Sequence, residues 1–170
     1  KRLVAEGLAV PAGRGALVAA LSDGFARDLI EVRAALEALN ARLAARHRGP
    51  EDLARIAALL AEGEVLAGSG ATDRLATLNA AFHALLAEAG ANRALQELME
   101  PLRDRTELVF RRNSPERAAE DWREHAAILQ AVAEGDAELA ALLAARHVHR
   151  AARALAAEPA AAEPAAAERG

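Results

Sequence analysis

The chain carries five histidines, and three of them sit where a helix would turn them inward. In the stretch LNAAFHALL, Asn79 and His83 are four residues apart and share a helical face with Leu75 and Leu86. His125 shares a face with Trp122, Ile128, Leu129 and Val132, and His147 follows Leu139 and Leu143 at four-residue steps. A single inward histidine is ordinarily a core residue bonded to a backbone carbonyl or to water. On three helices the load grows, because each polar group buried without a partner costs about 1–3 kcal/mol in a fold worth about 5–15 kcal/mol. One shared divalent ion satisfies all three rings. Neutral imidazoles suit Zn or Ni, and three of them leave positions open for water or a small anion. No H-E-x-x-H or Glu-x-x-His motif is present. His47 sits at a helix end, where a cation suits the dipole, and His149 falls off the stripe of His147.

Composition narrows the chemistry further. With 53% hydrophobic residues among 170, the chain can bury a sizeable core. Aromatics are 2%, with one Trp and no Tyr, which argues against a base-stacking surface. There is no cysteine, so disulfides, thiolate metal sites and cysteine nucleophiles are excluded, and a reducing, cytoplasmic setting is expected. A net charge of −4 makes the chain as a whole a poor nucleic-acid binder. No apolar run approaches the roughly 20 residues of a membrane span, and the opening KRLVAEGLAV does not read as a signal peptide. It also lacks an initial Met, so a native start is expected upstream.

The elements that must position these residues are helices. Ser22 or Asp23 can cap a first helix running to about His47, closed by RGP; Pro50 suits the first position of a second, which runs to AGSG. Thr72 caps the third, stopped at Gly90, and Asn92 caps the fourth, with a kink expected at Pro101. Ser114-Pro115 starts the fifth, ended by Gly135, and Asp136 caps the sixth, which ends near Glu158-Pro159. Long helices on short loops predict an all-α fold, an antiparallel bundle of about six helices spanning residues 22–157. Residues 1–21 differ: KRLVAEG reads as the last turns of a helix, and two β-prone runs around a turn at 11–15 read as a hairpin. The tail, residues 158–170, is an Ala/Glu/Pro repeat expected to be mobile and without function.

Several of these elements occur in a familiar order. EVR stands on the first helix, FH precedes a Gly-x-Asn break, EH leads an apolar run to EGD, and a final His lies eleven residues after that Asp. Across residues 29–148 the chain resembles the ligand-sensing domain of GntR-family transcriptional regulators of the FadR-type branch. Its opening, KRLVAEGLAVPAGRGALVA, resembles the end of that family's winged helix-turn-helix: the tail of the recognition helix and then the wing, with most of the DNA-reading helix upstream of Lys1.

The resemblance implies a site and a mechanism. A divalent metal, Zn or Ni, would be held by Asn79, His83, His125 and His147. The family's usual first ligand is Asp, so Asn79 offers a neutral amide oxygen and no protein charge offsets the ion. Either affinity falls, or a carboxylate effector supplies the charge; the second is expected. Arg33, in EVR, would hold that carboxylate with two parallel hydrogen bonds, the alternative being a surface pair with Glu37 at i+4. Arg105 is a second effector candidate, and Trp122 is expected in the core. Arg14, at the wing tip, would reach phosphate or minor groove, or else is a solvated turn arginine. The whole would be a homodimer on a pseudo-palindromic operator, closing around a small organic acid. A coupling of about 1–3 kcal/mol would shift operator affinity roughly 5- to 150-fold.

One rival is a metal-dependent hydrolase or lyase, since three imidazoles with open positions can activate water. Against it, the one carboxylate beside a proposed ligand is Glu124, and adjacent helical residues point about 100° apart, so Glu124 should face away from the metal. The reading is therefore not an enzyme. A second rival is a purely structural bundle whose histidines are satisfied internally.

Overall fold

Short-range capping chemistry sets most of the helix boundaries in the computed structural model, which describes residues 9–12, 15–18, 23–67, 69, 72–110 and 115–157. The helices are α1 (Asp23–His47), α2 (Pro50–Ala67), α3 (Thr72–Ala89), α4 (Arg93–Phe110), α5 (Pro115–Glu134) and α6 (Ala137–Ala157). Proline opens α2 and α5 at a position that needs no N–H partner. Asn92 Oδ1 accepts from Leu95 N at 3.1 Å at the start of α4, and Asp136 Oδ1 accepts from Leu139 N at 2.9 Å at the start of α6. α4 runs through Pro101 as one helix.

α1 is the central rod. It lies along α6 and also touches α3, α4 and α5, while α2 packs on α3 and α5. Arg42 near the end of α1 bonds Glu138 near the start of α6, and His149 late in α6 stands 3.8 Å from Glu31 early in α1, so the two run antiparallel. Alanines make the close approach possible: Ala41, Ala44 and Ala45 of α1 and Ala140 and Ala144 of α6 share one buried cluster with Ile56, Phe82, Leu86, Ile128 and Val132. A second cluster, Leu29, Leu95, Met99 and Leu102, joins α1 to α4. Where α2 crosses α5, a Cβ on Gly63 would stand 2.6 Å from the Trp122 ring, so the absent side chain at Gly63 is what seats the indole. Trp122 is core, as its stripe predicts.

Two helix ends differ in how they stop. Gly135 ends α5 at a φ of +80°, with Asp136 N bonding Ala131 O and Gly135 N bonding Val132 O, the paired bonds of a Schellman stop. At the end of α3 the left-handed residue is not Gly90 but Ala91, at a φ of 52°. Gly90 serves close approach instead, since a Cβ there would meet the Asn40 carbonyl at 3.3 Å. Ala91→Gly is therefore expected to raise stability by about 0.5–1 kcal/mol, relief of the left-handed strain outweighing the added chain entropy. The measurement is the urea midpoint at unchanged m-value; a midpoint that stays or falls would show that Ala91 carries no strain.

Before the helices, β1 (Ala9–Ala12) and β2 (Gly15–Val18) pair antiparallel, with Ala12 opposite Gly15. The turn is tighter than the five-residue span expected from sequence, because Pro11 and Ala12 belong to β1. A two-stranded ribbon tolerates proline, having free edges where its missing N–H is not needed. The expected tail of a recognition helix, Arg14 and residues 158–170 lie outside the described residues. Among the described residues, no helix is long and apolar enough to cross a membrane.

Candidate metal centre

Three helices deliver one imidazole each. His83 comes from α3, His125 from α5 and His147 from α6, and a ring nitrogen of each lies within 4.8 Å of those of the other two. All three are buried, and His125 Nε2 and His147 Nε2 are 3.2 Å apart. His125 is held by rings on both sides. Phe82 stacks on it with centroids 4.1 Å apart and planes 14° from parallel, and Trp122 meets it edge-on at 5.1 Å. The dipeptide Phe82-His83 thus sends one ring to brace a neighbouring imidazole and the other to the cluster.

Asn79, one turn before His83, lines a cavity of about 30 Å³ with Arg33, His83, Asp121 and His147. That is room for about one or two water molecules or an ion. The donor types suit a divalent ion: Asn79, His83 and His147 line the cavity, and a His125 ring nitrogen lies within 4.8 Å of those of the other two imidazoles. His83 Nε2, moreover, is buried with no hydrogen-bond partner among the described residues. Bound there, a metal would supply positive charge and open coordination positions for an anion. Asn79, His83, His125 and His147 are the residues that would hold it.

A second layer of charge lies under the imidazoles, and sequence reading gave it little weight. Glu37 of α1 is 1% exposed. Arg103 faces it with Nε 3.3 Å from Oε1 and Nη2 3.4 Å from Oε2, and Arg33 Nε is 3.7 Å from Oε1. His83 Nδ1 is 3.3 Å from Oε1, within ion-pair range but off the line that a hydrogen bond needs. Burial alone would push the Glu37 carboxyl up, but the surrounding charges, with Arg103 and Arg33 permanent cations, prevail and hold it well below the usual carboxylate range. Burial pushes the His83 imidazole down to about 4, which the Glu37 carboxylate only partly offsets, so the ring stays neutral near pH 7. Neutral is the form a metal needs.

Arg33 lines the cavity but is not idle: its Nη1 donates to Thr106 Oγ1 at 2.6 Å, and its pairing with Glu37 is buried rather than on the helix surface. Arg105 is not among the residues lining the cavity. Arg103 of α4, which also does not line the cavity, meets the Glu37 carboxylate beneath the cluster, and its Nη2 donates to the His83 carbonyl at 3.0 Å. Arg103 lies four residues after buried Met99, a spacing that could have singled it out. Glu124 does turn away from the cluster centre, yet it meets the back of a proposed ligand, with Oε2 accepting from His147 Nδ1 at 2.7 Å. His47 Nδ1 donates to the Gly90 carbonyl at 2.9 Å, tying the end of α1 to the end of α3.

The family model described as FCD domain matches residues 28–150. Among solved structures the chain is similar to E. coli McbR/YncC, at 20% identity over 91% of this chain and 76% of that one, with a TM-score of 0.81. It is similar to Streptococcus agalactiae GntR at 21% identity over 89% and 77%, TM-score 0.62. The metal-free FCD domain of TM0439 shares 25% identity over 80% of this chain and 94% of that one, TM-score 0.63. No curated protein sequence matches.

Proposed function

Because the chain belongs to the FCD-domain family, the helical sensing domain of FadR-type GntR regulators, we propose that it is the metabolite-sensing part of a cytoplasmic, homodimeric transcriptional regulator. Asn79, His83, His125 and His147 bind a divalent metal, Zn or Ni, and a small organic acid docks beside it near Arg33. The observation that carries this reading is the convergence of three buried imidazoles from three helices, two of which, His83 and His147, line one small cavity together with Arg33. In the same reading β1 and β2 are the wing of a DNA-binding unit that contacts operator DNA, with Arg14 at its tip.

The size of the cavity bears on the mechanism. At about 30 Å³ it takes an ion or water but no metabolite. An acid can enter only if α1, α3, α5 and α6 part around it, so the bundle opens rather than closes on its effector. An acid that binds only the parted geometry shifts the bundle toward it, and Arg33 is then drawn from Glu37 and Thr106 toward the incoming carboxylate.

Protein purified without a histidine tag should melt later when given zinc or nickel, by about 2.7 kcal/mol of added stability at one hundred times Kd. Small carboxylic acids should then bind the loaded protein more tightly than the apo form, since all four proposed ligands are neutral and the bound ion adds positive charge beside Arg33. The absence of both bound metal and any thermal shift would overturn the reading. Two of the nearby carboxylates are already engaged, which speaks against a metal-dependent hydrolase: Glu37 is committed to two arginines, and Glu124 to His147 and Arg150.

A further inference from the structure

α5 reaches His147 from two directions. From the inside it brings His125, whose Nε2 is 3.2 Å from His147 Nε2. On the Nδ1 side it brings Glu124, whose Oε2 is 2.7 Å from His147 Nδ1, and Asp121, which lines the cavity and whose Oδ1 is 3.9 Å from the same nitrogen. The Glu124 side chain is only 15% exposed, and Arg150 holds its other oxygen at 3.0 Å. A neutral imidazole has one ring proton. With that proton committed to Glu124 at Nδ1, the lone pair of His147 stands at Nε2 and faces the cluster.

We propose that Glu124 is a positioning residue of the metal centre. It fixes His147 in the Nδ1-protonated tautomer and locks the ring with Nε2 inward. Together with Asp121 it also places beside the ligands the negative charge that Asn79 does not supply. This inference rests on the metal-binding reading above and adds a residue to it. A carboxylate behind a ligating imidazole makes the opposite nitrogen a stronger electron-pair donor and removes the freedom of the ring to turn away. The arrangement also gives a reason for Glu124 to stand next to His125. The angle between neighbouring helical residues that carries Glu124 off the metal carries it onto α6, where His147 lies.

The test uses the whole chain as wild type and as Glu124→Gln, Glu124→Asp and Glu124→Ala. Zinc affinity is read by competition with a chromophoric chelator, the cobalt-loaded visible spectrum reports the ligand field, and apo melting controls for folding. Glu124→Gln keeps the shape and loses the charge, so zinc should bind about 10- to 100-fold more weakly with little change in apo melting. Its cobalt bands should move, and Glu124→Asp should recover most of the affinity that Glu124→Ala loses. Equal zinc affinity in wild type and Glu124→Gln, or an Asp variant no better than Ala, would overturn the role of Glu124 while leaving the metal site standing. A wild type that takes up neither zinc nor cobalt overturns the metal reading and this inference with it.

Discussion

Glu37→Gln is expected to destabilise the protein by about 3–5 kcal/mol, a large share of the stability of a single domain. The cost does not come from losing one contact. Glu37 is 2% exposed along its side chain, and Arg33 beside it is 8% exposed, so neither charge can turn to water when its partner goes. The amide cannot carry the charge that Arg33 and Arg103 now face, and two guanidinium groups are left confronting each other in a poorly screened interior. Arg103, at 19% exposure, has a partial escape, which places the loss toward the lower end of that range. Removing Glu37 and Arg33 together, as Glu37→Leu with Arg33→Leu, should cost less than Glu37→Gln alone, because the buried Arg33 charge goes with the carboxylate that faces it. Chemical denaturation of the three proteins measures both statements. A loss below about 1 kcal/mol in Glu37→Gln would mean that the arginines are solvated after all.

His83→Leu should have opposite effects on the apo and metal-loaded protein. Leucine fills nearly the same volume and has no polar atoms, whereas His83 leaves Nε2 buried and unbonded among the described residues. The apo variant is therefore expected to match wild type or to exceed it by up to about 1–2 kcal/mol. The added melting temperature that wild type gains from zinc should vanish, since one of three converging imidazoles is gone. A residue that costs apo stability and is recovered on ligation is what a binding site retains at the expense of packing. Calorimetry with and without zinc settles it. An apo variant destabilised by more than about 1 kcal/mol would show that His83 is an ordinary core residue, and a variant that still responds fully to zinc would remove it from the site.

What could be read from residues alone was the chemistry that acts over one or two turns. Pro50, Asn92, Asp136 and Gly135 announce their helix ends because each meets a backbone need within three or four residues. The inward stripes of His83, His125 and His147 follow from helical period, and the fold brings them together. What stayed illegible depends on distance along the chain. Arg33 and Glu37 make the same i,i+4 pattern on a surface or in a core; what distinguishes the two is Arg103, 66 residues from Glu37. Helical geometry correctly turns Glu124 from the cluster centre, but nothing local says that His147 waits on that side. That the left-handed residue after α3 is Ala91 and not Gly90 was illegible for a similar reason, since α1 crowds Gly90 from a remote part of the chain.

Trp122, seated in the notch that Gly63 leaves open, is the sole tryptophan of a chain with no tyrosine. Its ring centre is 5.1 Å from that of His125. The molecule's near-ultraviolet fluorescence thus originates from a single indole lying against one of the three clustered imidazoles. Occupancy of the cluster can be followed optically in the unlabelled protein, and any metal that quenches or brightens the signal reports from the side of His125 and not from the bundle at large.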